Sequence, residues 1–309
     1  MKRGATPPFT GMTFTLASLT RPSPSSSSSP EYDLEPEPST VPEQPFELRR
    51  IALAGRCELE YVDRGESDAP VAIFLHGLTD SWLSFAEVIN RCPNDLRCIA
   101  ISQRGHGDSE RPPSGYRLVD LAEDVIAFMN ALCIERASIV GHSMGSLVAQ
   151  TIAAKYPDRV TRLVLIASAT SFDTPPAREL QAVLETLDEI PHELAFDFQA
   201  STFYHPIPDA VLDTYVAESM KVPARVWRDV LAGVFEHDGP ACLAAIEAPT
   251  AIIWGAQDAY CLHEEQLRLR GSIRHSRLAI YEDVGHAPHW EEPDHVTREI
   301  VAILRPKRR

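Results

Sequence analysis

Four short apolar runs constrain this chain most: Val71-Ala72-Ile73-Phe74-Leu75, Cys98-Ile99-Ala100-Ile101, Ala137-Ser138-Ile139-Val140 and Leu163-Val164-Leu165-Ile166. Runs this continuous are the mark of strands buried on both faces. Helix-like stretches separate them, at Trp82 to Arg91, Leu118 to Leu132 and Ser146 to Lys155, the last stopped by Pro157. Strand and helix in alternation predict a parallel sheet covered by helices, with its sites at the C-terminal ends of the strands. An antiparallel start is expected before it, from Ile51-Ala52-Leu53 and Glu58-Leu59-Glu60-Tyr61-Val62 around Gly55.

The third run leads into Gly141-His142-Ser143-Met144-Gly145-Ser146. A buried strand, a sharp turn and a helix around Gly-x-Ser-x-Gly meet the requirements of a nucleophile elbow. Gly141 and Gly145 lack Cβ atoms, so strand and helix can approach closely there. The turn also aims the free N–H groups of the helix start at whatever sits on the serine.

From about Thr170 to Ile246 the alternation pauses. Helix formers dominate, broken at Pro175-Pro176, Pro191, Pro206, Pro208, Pro223 and Gly239-Pro240, and helices are predicted over 177–189, 209–221 and 224–236. Residues 171–246 therefore read as a helical cap inserted into a core of residues 46–170 and 247–309. Within the cap, Phe196, Phe198, Phe203, Tyr204, Met220, Trp227 and Phe235 are expected mostly to form its own core, a few lining a substrate pocket. Strands resume at Thr250 to Gly255 and Arg277 to Tyr281, and a last helix is expected near His295 to Leu304.

Residues 1–45 differ in kind: nearly pure serine over 23–29, then prolines alternating with acids. Such a segment buries too little apolar surface to offset its ordering entropy and reads as a disordered tail. Lys2 and Arg3 followed by Phe9 to Leu19 faintly suggest a signal peptide, but Pro7, Pro8, Gly11 and several threonines interrupt the apolar character. The net charge of −15 argues against nucleic acid as a partner. No run of about eighteen apolar residues suggests a membrane span. The six cysteines lack metal-ligand spacing and read as reduced thiols, consistent with a cytoplasmic chain. Neither a metal nor a cofactor is expected.

A serine hydroxyl is a poor nucleophile near neutrality and needs a base, usually histidine, held by a carboxylate. Two loops that follow strand-like runs each offer one partner. Asp258 follows Ile253-Trp254-Gly255-Ala256-Gln257, and His286 follows Asp283-Val284-Gly285. His289 and His295 compete for the base, and Asp283 and Asp173 for the acid. The flanking Gly285 and the strand-like run just before it favour His286, while chain order alone leaves Asp258, Asp283 and Asp173 open as the acid. His289 and His295 are expected to serve the surface or the last helix, and His76, His106 and His142 to bond loop backbone.

From Phe46 onward the chain resembles the α/β-hydrolase superfamily with a helical cap. The likeness is carried by His76-Gly77, Arg104-Gly105-His106-Gly107, Gly141-His142-Ser143-Met144-Gly145, Gly255-Ala256-Gln257-Asp258 and Gly285-His286. It implies Ser143 as nucleophile, His286 as general base and acid, and Asp258 as the orienting carboxylate. It also implies an oxyanion hole built from the backbone N–H groups of Leu78 and Met144. Two positions depart from the pattern. Ser102 stands where relatives commonly carry aspartate, which is expected to loosen a loop on the oxyanion side, and Ser146 where a second glycine is frequent. The resemblance implies hydrolysis of a small, apolar carboxylic ester or lactone. Carbon–carbon bond hydrolysis, cofactor-free perhydrolysis and a small-molecule receptor remain as alternatives.

Overall fold

The computed structural model describes residues 46–305. The Pro/Ser-rich tail and the basic residues Lys307, Arg308 and Arg309 lie outside the described residues. Eight strands form one sheet: β1 Leu48–Ala52, β2 Glu58–Arg64, β3 Val71–Leu75, β4 Arg97–Ile101, β5 Ala137–His142, β6 Val160–Ile166, β7 Thr250–Gly255 and β8 Ser276–Tyr281. Their order is β1-β2-β4-β3-β5-β6-β7-β8. β1 and β2 pair antiparallel, β2 runs antiparallel to β4, and every later pairing is parallel.

The apolar runs are continuous because the two faces of the sheet bury alternate residues of the same strand. Ile73, Leu75, Ile99, Ile101, Ile139, Leu163 and Leu165 face one core, packed against α2 (Leu118–Ala131) and α3 (Met144–Lys155). Ala72, Phe74, Cys98, Ala100, Val140, Val164 and Ile166 face the other, packed against α1 (Ala86–Arg91) and α11 (Pro293–Leu304). Each fully buried Ile, Leu or Phe contributes about 1.5–3 kcal/mol relative to exposure, so the central strands carry much of the stability.

Five helices stand between β6 and β7: α4 Pro175–Leu184, α5 His192–Ala200, α6 Asp209–Met220, α7 Ala224–Phe235 and α8 Gly239–Ala244. Their apolar side, with Leu184, Ala195, Leu212, Val216, Trp227 and Val230, is continuous with the α2/α3 core. Three remaining helices follow β7 and β8: α9 His263–Ser272, α10 Pro288–Glu291 and the terminal α11.

Several local expectations change. Pro175-Pro176 and Gly239-Pro240 open helices instead of interrupting them, because a proline in the first helical turn forfeits no intrahelical donor. Thr174 and Asp238 cap those helices through the N–H groups of Ala177 and Ala241, at 3.4 and 3.3 Å. The segment from Trp82 begins as a 3₁₀ turn, Trp82–Phe85, before α1. Of the cap aromatics and methionine, Trp227 is wholly buried. Phe196, Tyr204 and Met220 are 38, 41 and 40% exposed and so do not belong to the cap's core.

Candidate active site

β3 and β5 are neighbours whose chain connections leave in opposite directions, β3 to β4 on one side and β5 to β6 on the other. Parallel sheets open a crevice at such a switch point. Leu78 follows β3 and Ser143 follows β5, so both lie at this crevice. β7 and β8 run parallel to β5, which brings Asp258 and His286 to the same edge.

Ser143 has φ 50° and ψ −121°, a strained conformation for a residue with a Cβ. The strain is held by its N–H, which donates to Ile166 O at 3.0 Å, and by its carbonyl, which accepts from Ser146 N–H at 2.8 Å. The glycines permit the close approach that this demands. A Cβ on Gly141 would sit 2.3 Å from Gly145 O, and one on Gly145 would sit 2.2 Å from Leu75 O. Ser146 replaces the frequent second glycine without harm, its hydroxyl reaching Ser143 O at 2.5 Å and Ser168 Oγ at 2.7 Å.

An unbroken chain of hydrogen bonds leads away from the serine. His286 Nε2 lies 2.9 Å from Ser143 Oγ, and His286 Nδ1 lies 2.8 Å from Asp258 Oδ2 and 3.0 Å from Oδ1. Asp258 Oδ1 also accepts the N–H groups of Tyr260 and Cys261, at 2.8 and 3.0 Å, which fixes the carboxylate behind the ring. Asp258 and His286 are both 5% exposed. The N–H groups of Leu78 and Met144 have no acceptor among the described residues. Met144 opens α3, where the first N–H groups of a helix lack intrahelical partners.

The competitors are placed elsewhere. Asp283 is exposed, Asp173 pairs with Arg178 on the surface, and the exposed His295 lies 3.8 Å from Glu292. His289 is not on the surface. It is fully buried, stacked on Phe85 at 4.9 Å and bonded to Ser84 Oγ at 3.1 Å, and burial pushes its pKa down to about 3.

His76, His106 and His142 bond loop backbone. His76 Nε2 accepts Gln103 N–H at 2.9 Å, and His106 Nδ1 lies 2.9 Å from Arg104 O. His142 Nε2 donates to His286 O at 2.9 Å and so steadies the backbone under the base. Burial holds all three well below the ordinary histidine range, His106 at about 4.

Ser102 does not loosen its loop. Glu60 of β2 supplies a carboxylate there, accepting Ser102 Oγ–H at 2.9 Å and Asp108 N–H at 3.2 Å, while Ser102 Oγ accepts Trp82 N–H at 3.2 Å.

Asp258, Cys261 and His286 offer an oxygen, a sulfur and a nitrogen within 4.8 Å of one another, the shape of a metal-ligand set. The donor chemistry does not fit one. Burial, with Asp258 close by, pushes the Cys261 thiol well above its usual range, and His286 Nδ1 is already engaged by Asp258.

Several residues around the site carried no readable signal in the sequence. Asp80 sits in the loop after His76-Gly77, buried and 4.0 Å from His142 Nδ1. Burial raises its pKa to about 7, with Gln199, Ser84 and His286 pulling the other way. Glu291 accepts Gly285 N–H at 2.7 Å on one oxygen, and the N–H groups of Tyr204 and His205 at 3.0 and 2.9 Å on the other. Only the coordinates bring these residues to the site. Asp80 meets Gln199 from 119 residues away, and Glu291 joins the nearby Gly285 to Tyr204 and His205, 87 and 86 residues away.

Comparison with known proteins agrees with the sheet. Residues 70–205 match the family model described as alpha/beta hydrolase fold. The 3-oxoadipate enol-lactonase 2 of Acinetobacter baylyi is 26% identical over 263 residues, 84% of this chain and 98% of that protein. The enol-lactonase structure from Burkholderia xenovorans superposes with a TM-score of 0.76 at 25% identity, covering 83% of this chain and 99% of that one. This chain has the α/β-hydrolase fold and is similar to that superfamily over residues 70–205. The 2-(acetamidomethylene)succinate hydrolase of Mesorhizobium japonicum is more similar locally, 35% identical over 137 residues, but only 44% of this chain and 48% of that protein are aligned. Among the described residues, no helix is long and apolar enough to cross a membrane.

Proposed function

We propose that this protein is a serine hydrolase that cleaves a small, uncharged carboxylic ester or lactone through an acyl-enzyme. The reading is carried by one observation: the hydrogen-bonded series Asp258–His286–Ser143. His286 takes the proton of Ser143 as Oγ attacks the carbonyl carbon. Asp258 fixes the Nδ1–H tautomer and stabilises the imidazolium that forms. The N–H groups of Leu78 and Met144 receive the oxyanion, where removal of one donor typically costs about 10²–10³ in rate. The tetrahedral adduct collapses, His286 gives its proton to the leaving alkoxide, and the alcohol departs. Water, deprotonated by His286, then attacks the acyl carbon, and collapse returns the proton to Ser143 and releases the acid.

The composition of the cap supports an uncharged substrate. Residues 171–246 contain thirteen carboxylates and four basic side chains, Arg178, Lys221, Arg225 and Arg228. All four are engaged: Arg178 by Asp173, Lys221 by Asp108 and Glu218, Arg225 by the carbonyls of Arg111 and Pro112, and Arg228 by those of Leu184 and Leu187. An anionic acyl chain would meet this acidic cap with no uncommitted cation in it. The names of both curated relatives indicate carboxylate-bearing substrates, so a neutral acyl group would separate this chain from them.

The test pairs p-nitrophenyl butyrate with the mono-p-nitrophenyl ester of succinate. Turnover of the butyrate should fall at least about 10³-fold in Ser143→Ala, in line with other triad serines. The succinate ester should show at least a tenfold lower kcat/KM, the effect of roughly 1.4 kcal/mol. Equal turnover of the two esters would reject the neutral substrate, and undiminished turnover by Ser143→Ala would reject the mechanism.

A further inference from the structure

The end of α5 and the two residues after it touch three of the loops on which the proposed reaction depends. Gln199 is 1% exposed, and its Nε2 lies 2.9 Å from Asp80 Oδ1, 2.8 Å from Ser219 Oγ of α6 and 3.3 Å from Thr79 Oγ1. Thr79 Oγ1 and Ser219 Oγ are themselves 2.8 Å apart. This cluster grips the chain one residue beyond Leu78, a proposed oxyanion donor. Two residues on, Ser201 Oγ bonds the phenol of Tyr260, whose own N–H holds Asp258 and whose ring lies 4.9 Å from that of His286. Next, Thr202 O accepts Ala287 N–H at 3.0 Å, immediately after His286, and Thr202 Oγ donates to Gln199 O at 2.7 Å to close the turn.

We propose that this turn, Gln199 to Thr202, is a positioning element that sets the oxyanion loop, the acid loop and the base loop against one another, with Gln199 as its leading residue. The proposal rests on the serine-hydrolase reading above.

Three features separate such a role from ordinary packing. Thr79 holds φ 71°, a backbone region that a β-branched residue occupies only when its surroundings impose it. The surroundings here are Gln199 and Ser219. The contacts are also buried, directional hydrogen bonds at a place where apolar side chains would have held the cap just as firmly. A polar cluster of this kind specifies position, because each donor must meet its acceptor or bear the cost of desolvation. Lastly, the base loop passes so close that a Cβ on Gly285 would lie 2.7 Å from Tyr204 N, and Glu291 ties the two segments together from the other side. A displacement of about 1 Å in any of these loops is enough to cost on the order of 10²-fold in rate.

Gln199→Ala, Asp80→Ala and Asp80→Asn test the proposal in the full-length protein. Gln199→Ala should lower kcat for p-nitrophenyl butyrate about tenfold or more while KM stays within about threefold, because ground-state binding does not use the oxyanion donors. Affinity for an alkyl trifluoromethyl ketone, which forms a tetrahedral adduct, should fall by the same factor as kcat. Asp80→Asn keeps an acceptor opposite Gln199 and should retain activity that Asp80→Ala loses. The double variant Gln199→Ala/Asp80→Ala should be little worse than either single variant, since both break one network.

Hydrogen exchange at the amides of residues 77–80 reads the same network without any turnover, and it should accelerate in Gln199→Ala. If Gln199→Ala does not fold, Ser219→Ala, which removes one hydroxyl, should show the same pattern at smaller amplitude. Parental kcat with a lowered Tm would overturn the proposal by making the turn merely structural. A raised KM at parental kcat would overturn it by making Gln199 a wall of the substrate pocket. Unchanged exchange at 77–80 would overturn it whether or not the parent cleaves esters. A parent inert to every ester whose exchange still responds to Gln199→Ala would instead reject the hydrolase reading and leave the turn as the fastener of these loops.

Discussion

Asp258 receives two backbone N–H groups on the oxygen facing its own loop and holds the imidazole of His286 with both oxygens. Asp258→Asn keeps an oxygen for the backbone but turns an amide N–H toward Nδ1. The ring would then adopt the other tautomer and lose its capacity to take the Ser143 proton. Expected is a fall of about 10³–10⁴ in kcat, as in other triads, with a thermal unfolding midpoint close to the parent's; stopped-flow or steady-state ester hydrolysis measures it. The three side chains were legible in the sequence because each follows a strand-like run in a glycine-marked loop. His289 was not. Its neighbours Ser84, Phe85 and His142 come from chain roughly 150–200 residues away, and nothing in Pro288-His289-Trp290 announces a buried imidazole. Gln199 was equally silent, as one polar residue on a short helix.

At the scale of elements, the elbow and the cap fail in different ways. A methyl on Gly145 would come within 2.2 Å of Leu75 O and 2.4 Å of His76 O, both backbone atoms at the end of β3 that cannot swing aside. Gly145→Ala should therefore destabilise the fold by several kcal/mol, within the range of severe overpacking and backbone effects. Gly271 in α9 has nothing within 4 Å of its Cβ position, so Gly271→Ala should instead stabilise by about 0.5–1 kcal/mol. Urea midpoints of the two variants check both signs. Strands read well from the sequence because burial on two faces leaves unbroken apolar runs. Cap helix ends read poorly because Pro175-Pro176 and Gly239-Pro240 have the composition of breaks and the geometry of helix starts. α5, a short helix with a weak apolar stripe, had no pattern to set it apart.

For the molecule as a whole, four buried histidines make acid stability a distinctive property. His76, His106, His142 and His289 are all held below the ordinary value of 6.5 by burial, His106 at about 4 and His289 at about 3. Between pH 6.5 and about 4 the unfolded chain binds protons that the folded chain refuses, so their contribution is full above 6.5 and lost as pH falls. Asp80, raised to about 7, and the raised Glu291 act in the opposite sense, since their protonated forms are favoured in the folded state. Four groups outweigh two, and each net proton is worth about 1.4 kcal/mol per pH unit. The urea midpoint at pH 5 should therefore lie below that at pH 7.5; an equal or higher midpoint would mean that these imidazoles are not neutral in the fold. The central claim concerns a single oxygen atom at the end of a strand. Intact-mass analysis after reaction with a fluorophosphonate, followed by peptide mapping, tests it most directly. One adduct should form, on Ser143, absent in Ser143→Ala and slowed in Asp258→Asn. An unmodified protein, or an adduct on any other residue, would contradict it.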